Sequence, residues 1–382
     1  MEHGASILRD LFVMFAAAKV LAEIAERIRQ PTVVAEILGG LLIGPNVLGL
    51  VRPGEVHDAL AELGVVFLLF VAGLEVQASD VFSVGATALA VAFLGVALPF
   101  AGGFALMHHL GRTGIEATFV GAALVATSVG ITARVFADMG LMQSMIARVV
   151  LAAAVIDDIL GMIVLAIVSS LSAGSVDYAR IAIILLEAVV FTALAVVFGE
   201  RIVRRLGPTV ANLRMRESYF IGALLLCLGL SALASYFGIA AIIGAFLAGM
   251  ALSGKNTEYD LDSKMFPVYE FLVPLFFVVM GMRLDVTVLW EASNLGLAAA
   301  VTFVAIVTKI IACSIGAARL GWMGALTVGI GMVPRGEVGI VVALVGLQLG
   351  TIPNSLYAVV ITMSMATTLV VPPALKFALS RR

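Results

Sequence analysis

Cysteine and charge are both scarce in this 382-residue chain. The two cysteines, Cys227 and Cys313, lie inside apolar runs, which argues against a disulfide framework and against a thiolate metal site. Charged residues make up 13% of the chain and the net charge is −2, so the chain offers no basic face to nucleic acid. The first residues, MEHGASILRDLF, lack the features of a cleavable signal peptide, and we expect a retained first span.

Apolar sequence is abundant instead. Hydrophobic residues make up 62% of the chain and the mean hydropathy is +1.14. Apolar runs of about 20 residues follow one another with short polar breaks, which predicts an all-α polytopic membrane protein with about thirteen transmembrane helices. The predicted spans are 5–25, 31–50, 58–76, 84–110, 114–137, 145–172, 178–204, 214–235, 238–254, 266–284, 291–318, 322–349 and 353–379.

The basic residues predict the orientation of the chain. An odd number of spans places the termini on opposite sides of the membrane. If the N-terminus is outside, fifteen of the 23 lysines and arginines fall in cytoplasmic breaks or the C-terminal tail, and only five fall in the outer breaks. The positive-inside rule therefore favours an outer N-terminus and a cytoplasmic C-terminus.

Two pairs of segments resemble each other at an offset of about 208 residues. VVAEILGGLL (33–42) aligns with IIGAFLAGMA (242–251), and VVFLLFVAGLE (65–75) aligns with VPLFFVVMGMR (273–283). Spans two and three thus match spans nine and ten, which lie seven membrane crossings later. Because seven is odd, the second copy crosses the membrane in the opposite direction and is inverted. Two inverted six-helix repeats joined by span seven are typical of secondary transporters, whose substrate site lies at the midplane. The alternative is chance similarity between membrane segments rich in glycine and leucine.

Spans five and twelve carry residues that interrupt helices. ALVATSVGITARVF occupies the position in the first repeat that GIGMVPRGEVGIVV occupies in the second. Crossed discontinuous helices would expose carbonyls and helix ends to a cation or a carboxylate. The alternative for Thr127 and Ser128 is hydrogen bonding to their own helix. The interrupting residues are Thr127, Ser128 and Gly130 in span five, and Pro334, Gly336 and Gly339 in span twelve.

Two adjacent aspartates lie in the middle of span six. Asp157 and Asp158 occupy VVLAAAVIDDILGMIVLAIV, and each carboxylate at the bilayer centre costs at least about 2.5–3.5 kcal/mol. Adjacent helical residues point about 100° apart, so one aspartate should face an ion and the other a partner. Lys309, deep in span eleven, is the available partner, unless it snorkels to the interface. The alternative for the aspartates is a purely structural polar pair.

These residues favour competition between protons and a cation. Two close carboxylates in a poorly solvated site resist full ionisation, and a small monovalent cation can replace a proton there. Such a site exchanges protons for a cation when the protein opens it alternately to the two sides of the membrane, as in an antiporter. An intramembrane aspartyl protease would need its aspartates on two helices. A cation channel would favour a ring of acidic residues around a continuous pore.

Together, VIDDILGMIVLAIV, LVATSVGITARV, the TKII lysine and GMVPRGEVG resemble the sodium/proton antiporters of the monovalent cation:proton antiporter superfamily. The resemblance covers essentially the whole chain and is strongest to the two-aspartate bacterial branch typified by NapA. It implies electrogenic exchange of Na⁺ or Li⁺ for H⁺ in pH and sodium homeostasis, without enzymatic activity or a cofactor. The implied location is a bacterial inner (plasma) membrane, with lipid as a partner. Potassium/proton exchange and sodium symport are the nearer alternatives.

The resemblance also implies a homodimer and elevator-like alternating access. Residues 1–76 and 214–284 would form the dimerisation domain, 84–172 and 291–379 the core ion-transport domain, and 178–204 the linker helix. Asp158 would bind Na⁺, Asp157 would pair with Lys309 when the cation is absent, and the hydroxyls of Thr127 and Ser128 would lie near the ion. The residues implied to support the crossovers are Arg335, Glu337, Pro334 and Gly130.

Overall fold

The computed structural model describes residues 2–28, 30–172, 178–211, 217–283 and 292–380. Within these ranges the chain is built from α-helices joined by turns and short 3₁₀ segments. The α-helices are α1 (Glu2–Arg27), α2 (Thr32–Ile43), α3 (Glu55–Leu74), α4 (Ala78–His109), α5 (Gly114–Ala123), α6 (Val129–Asp138), α7 (Met145–Ser172), α8 (Tyr178–Ala211), α9 (Ser218–Tyr236), α10 (Ala241–Leu252), α11 (Asn256–Tyr259), α12 (Leu261–Met282), α13 (Ala292–Gly316), α14 (Gly321–Gly331), α15 (Glu337–Gln348) and α16 (Asn354–Ser380).

Seven helices in the described ranges are long and apolar enough to cross a membrane. The full set of thirteen spans stays a prediction. Predicted spans 31–50 and 238–254 contain α2 and α10, which have 12 residues each and are therefore about 18 Å long, shorter than the hydrocarbon core. Gly44 and Pro45 end α2, because proline cannot extend the helix by donating an amide hydrogen bond.

The chain divides into two compact units. Unit 1 comprises Met1–Ser83, Gly140–Gln143 and Leu186–Arg283, and unit 2 comprises Val84–Met139, Ser144–Leu185 and Leu284–Arg382. The segments predicted as dimerisation domain lie in unit 1, apart from residue 284. Those predicted as core domain lie in unit 2, apart from the short turn 140–143. The predicted linker 178–204 is part of the single helix α8, along which the boundary between the units falls.

Four glycines allow close backbone contacts between helices of unit 1. At each of them a Cβ atom would overlap a carbonyl oxygen of the neighbouring helix. Helices α2 and α12 meet at two of these contacts, and α3 and α10 meet at the other two. The contacts are Gly40 on Val278, Gly281 on Ile37, Gly249 on Phe70 and Gly73 on Phe246. The residues of the α3–α10 contacts correspond to those of the α2–α12 contacts at an offset of 208 or 209 positions.

Unit 2 has an apolar core that holds its interrupted helices in place. Phe119 of α5, Val301 of α13 and Met363 of α16 are buried in one cluster. Gly103 of α4 lies so close to Gly121 of α5 that an added Cβ would come within 3.0 Å of its Cα. Because this core is apolar, the polar backbone groups of unit 2 that can take part in chemistry are concentrated at the helix breaks.

Candidate functional site

Two interrupted helices meet at the centre of unit 2. The chain leaves helical geometry between α5 and α6, at residues 124–128, and again between α14 and α15, at residues 332–336. Ser128, the last residue of the first break, has extended backbone dihedral angles. Both interruptions fall in the segments that the sequence predicts as discontinuous. Each interruption frees helix-end carbonyls and amides that must find partners elsewhere.

Hydrogen bonds join the two breaks directly. The sequence leaves open whether Thr127 bonds to its own helix, and in the structure its hydroxyl reaches the opposite break. Two bonds join the breaks: the Ser128 N–H donates to the carbonyl of Pro334 (2.7 Å), and Thr127 Oγ1 donates to the carbonyl of Met332 (3.2 Å). Beside them, Thr132 Oγ1 of α6 donates to the carbonyl of Gly331 at the end of α14 (2.6 Å). Gly336 fits against Ser128, because an added Cβ would lie 2.7 Å from the serine Oγ.

A buried ion pair lies beside the crossing. The Nζ atom of Lys309 is 3.0 Å from Oδ1 of Asp157, and both side chains are 0% exposed. Nζ also donates to the carbonyl oxygens of Gly95 (2.8 Å) and Val125 (2.9 Å), so all three ammonium hydrogens have an acceptor. Gly95 permits this approach, since a Cβ there would come within 3.3 Å of Nζ and 2.9 Å of Cys313 Sγ.

The two aspartates have different surroundings. Asp157 is fully buried, whereas the neighbouring Asp158 is partly exposed. Helix geometry turns their side chains about 100° apart. Oδ2 of Asp157 has no hydrogen-bond partner among the described residues. The arrangement therefore combines one fully buried carboxylate held by an ammonium group with an adjacent carboxylate that is partly exposed.

Arg335 brings a second buried cation to the crossing. Its guanidinium is 0% exposed, and Nη1 donates to the carbonyls of Val125 (3.0 Å) and Ala126 (2.9 Å) at the end of α5. Negative helix-end carbonyls stabilise a cation at this position. Nε and Nη2 have no hydrogen-bond partner within the described part of the chain. Two buried cations, Lys309 and Arg335, thus donate to carbonyls of the break between α5 and α6.

The other predicted site residues also lie in unit 2. Gly130 is buried in the first turn of α6, and Pro334 accepts the Ser128 amide across the crossing. Glu337 begins α15, and its side chain lies outside what the structure describes. The structure thus joins Asp157, Lys309 and Arg335 through a direct contact and the shared Val125 carbonyl. Ser128 bonds directly to Pro334, and Thr127 bonds to Met332 in the same break.

Sequence reasoning misses several groups of this site. Gly95 and the Val125 carbonyl act through the backbone, which no side-chain motif indicates. Thr367 and Thr368 of α16 bond to the backbone of Arg335 and are fully or almost fully buried. Their signal in the sequence is a pair of adjacent hydroxyls in the apolar run of the last predicted span.

The fold and the site define an integral membrane protein that encloses charged groups between interrupted helices, an arrangement found in helical ion transporters. The family model described as sodium/hydrogen exchanger, transmembrane, matches residues 12–381, and the chain belongs to this family. This places it in the monovalent cation:proton antiporter superfamily, whose members are transporters. The narrower two-aspartate branch stays a prediction.

Named relatives are similar over nearly the full chain. It is 33% identical to the Na(+)/H(+)-K(+) antiporter GerN of Bacillus cereus, over 96% of this chain and 95% of the relative. It is 34% identical to the high-affinity Na(+)/H(+) antiporter NhaS3 of Synechocystis, over 97% and 89% respectively. The solved structure of the sodium proton antiporter MjNhaP1 from Methanocaldococcus jannaschii matches with a TM-score of 0.67 at 19% identity. That match covers 98% of this chain and 99% of the other, and it supports the fold.

Proposed function

We propose that the protein is a sodium/proton antiporter whose exchange takes place at Asp157, Asp158 and Lys309. The observation that carries the proposal is the fully buried Lys309–Asp157 pair beside a partly exposed aspartate at the crossing of two interrupted helices. Burying two charges is costly, and a hydrophobic pair of similar volume is often as stable. The presence of this pair inside a membrane protein is therefore best explained if its charges take part in ion exchange.

The proposed exchange depends on competition for the same carboxylates. Na⁺ prefers oxygen ligands, and we assign Asp158 as its principal one, with Asp157, Thr127 and Ser128 completing the set. A cation at Asp157 and the Lys309 ammonium repel each other, so binding of Na⁺ favours loss of the lysine proton. A second proton would leave from Asp158. Two protons exchanged for one Na⁺ make the cycle electrogenic.

We further propose that the chain folds as two inverted repeats. Its support is the glycine packing of unit 1, in which the α3–α10 contacts reproduce the α2–α12 contacts at an offset of 208 or 209 residues. Unit 1 would provide the dimerisation domain of a homodimer, and unit 2 the core domain that carries the ion in an elevator-like motion. The termini would lie outside and in the cytoplasm, respectively, in a plasma membrane.

Potassium/proton exchange is the second candidate. Its specific support is GerN, whose name includes potassium and which shares 33% identity with this chain. The same carboxylates would serve a larger cation if the crossing were wider. Selectivity therefore has to be measured, and Li⁺, which is smaller than Na⁺, is the informative third ion.

The experiment uses purified protein in proteoliposomes with an internal pH dye and an imposed proton gradient. Na⁺, Li⁺ and K⁺ are added in turn, with and without valinomycin and K⁺ to clamp the voltage in the Na⁺ and Li⁺ arms. Proton movement driven by Na⁺ or Li⁺ that responds to voltage supports electrogenic sodium/proton exchange. A response to K⁺ alone would favour the second candidate, and cation flux without proton movement would favour a channel.

A further inference from the structure

Two adjacent threonines of α16 bind both backbone polar groups of Arg335. The Arg335 N–H donates to Oγ1 of Thr367 (3.2 Å), and the Arg335 carbonyl accepts from Oγ1 of Thr368 (2.9 Å). Thr367 is 0% exposed and Thr368 is 2% exposed. The break between α14 and α15 is therefore attached to α16 at the residue whose guanidinium reaches the other break.

Arg335 connects this attachment to the ion pair through its own side chain. Its guanidinium donates to the Val125 carbonyl, and the Lys309 ammonium donates to that same oxygen. Lys309 in turn holds Asp157 at 3.0 Å. The carbonyl oxygen of Val125 has two lone pairs, so it can accept from both cations at once. How strongly it holds the lysine depends on how much of its negative charge the arginine compensates.

We propose that Thr367 and Thr368 are positioning residues for exchange, which act through Arg335 and Val125 to set how readily Lys309 gives way to the cation. The inference rests on the proposed function and goes beyond it, because neither threonine touches the ion pair. Without the hydroxyls, Arg335 loses the two backbone bonds that aim its guanidinium at Val125. The uncompensated carbonyl then holds the Lys309 ammonium more tightly, and protons compete better against Na⁺.

The test compares Thr367→Val and Thr368→Val with Thr362→Val in the proteoliposome assay. Thr362 is a matched control on the same helix, because it is also buried and, within the described part of the chain, its hydroxyl donates to the Ala358 carbonyl of α16 itself. A hydrogen bond contributes about 1 kcal/mol net, so each Val variant should raise the KM for Na⁺ about fivefold. The pH of half-maximal exchange should move upward, while Thr362→Val should leave both values unchanged.

Conservative variants separate positioning from packing. Thr368→Ser keeps the hydroxyl and should restore the KM and the pH profile of the wild type. Arg335→Lys keeps the charge but loses the planar fork that reaches two carbonyls, so it should shift the same two quantities. Combined with Thr368→Val it should add little, because both changes interrupt one series of contacts.

Distinct results overturn the two proposals. Wild-type protein that moves no protons with any cation refutes the proposed function. Wild-type exchange, combined with an unchanged KM and pH profile in both Val variants, refutes only the role of the threonines. Equal shifts in Thr362→Val and Thr368→Val would also refute it, because the effect would then belong to α16 packing. If a Val variant fails to fold, Thr367→Ala and Thr368→Ala, which also lack the hydroxyl, are compared with Thr362→Ala in the same assay. A wild-type KM and pH profile in the first two then refutes the role of the threonines.

Discussion

Lys309 and Arg335 both donate to one oxygen, the carbonyl of Val125, at 2.9 and 3.0 Å. Two buried cations so close to one another would otherwise repel each other. The shared carbonyl, the negative end of α5 and the Asp157 carboxylate together compensate them. Displacing Lys309 from this cluster changes its charge balance, and this is the physical basis for coupling cation binding to proton release.

Replacing Asp158 with Ala should abolish exchange, because the account assigns this carboxylate as the principal ligand of Na⁺. Proton movement driven by Na⁺ in proteoliposomes would fall to the level of empty vesicles. Glu258→Gln is the control: it removes an acidic side chain from the exposed helix α11, where Glu258 pairs with Lys255, and it should exchange like the wild type. Sodium-driven proton movement in the Asp158 variant would refute the assignment.

Removing the Lys309 ammonium should destabilise the protein. Lys309→Ala leaves Asp157 buried without its partner, and breaking such a pair typically costs about 3–5 kcal/mol. The temperature of unfolding in detergent should fall clearly. The double variant with Asp157→Asn should recover part of that loss, because the unpaired charge is then gone. Independent, additive effects of the two substitutions would contradict a direct pair.

Neutralising Asp157 should change the charge moved in each cycle. Asp157→Asn keeps the size of the side chain but no longer requires the Lys309 proton to compensate a carboxylate. Exchange should become slower or less dependent on voltage, measured as the response to a valinomycin clamp. An unaltered voltage response at the wild-type rate would show that the Lys309–Asp157 pair takes no part in coupling.

The reciprocal glycine contacts of unit 1 predict a matched stability series. Gly40→Ala and Gly249→Ala place a methyl group on a neighbouring carbonyl, and overpacking of this kind costs about 1–3 kcal/mol or more. Gly229→Ala in α9 is the control, since nothing lies within 4 Å of the added Cβ and alanine favours a helix. Thermal unfolding should show losses in the first two variants alone. Equal losses in all three would show that the contacts are unimportant.

Much of the site follows from the sequence because charge is so costly in an apolar span. Asp157 and Lys309 each carry a charge deep in such a run, and burial leaves an acid and a base there few partners other than one another. Thr127 and Pro334 similarly predict helix breaks where the breaks occur. Composition and the placement of charged and helix-interrupting residues in apolar runs therefore indicate both the class of the fold and the centre of the candidate site.

Other features depend on contacts that the sequence does not express. Hydropathy extends the second predicted span to residue 50, although α2 ends at Ile43, because apolar residues remain apolar after the helix has ended. The Gly44–Pro45 step is the signal that could have shortened it. The acceptors of Lys309 at Gly95 and Val125 are backbone carbonyls, which every residue possesses. The bonds from Thr367 and Thr368 span more than 30 residues and appear only in the folded chain.

The most direct test of the central claim measures competition without a membrane. Purified protein in weakly buffered detergent solution is titrated with Na⁺ while the free proton concentration is followed, and choline is used as the control cation. The account predicts proton release on addition of Na⁺, an apparent affinity for Na⁺ that rises with pH, and no release in Asp158→Ala. Sodium binding that releases no protons and is independent of pH would contradict exchange at this site.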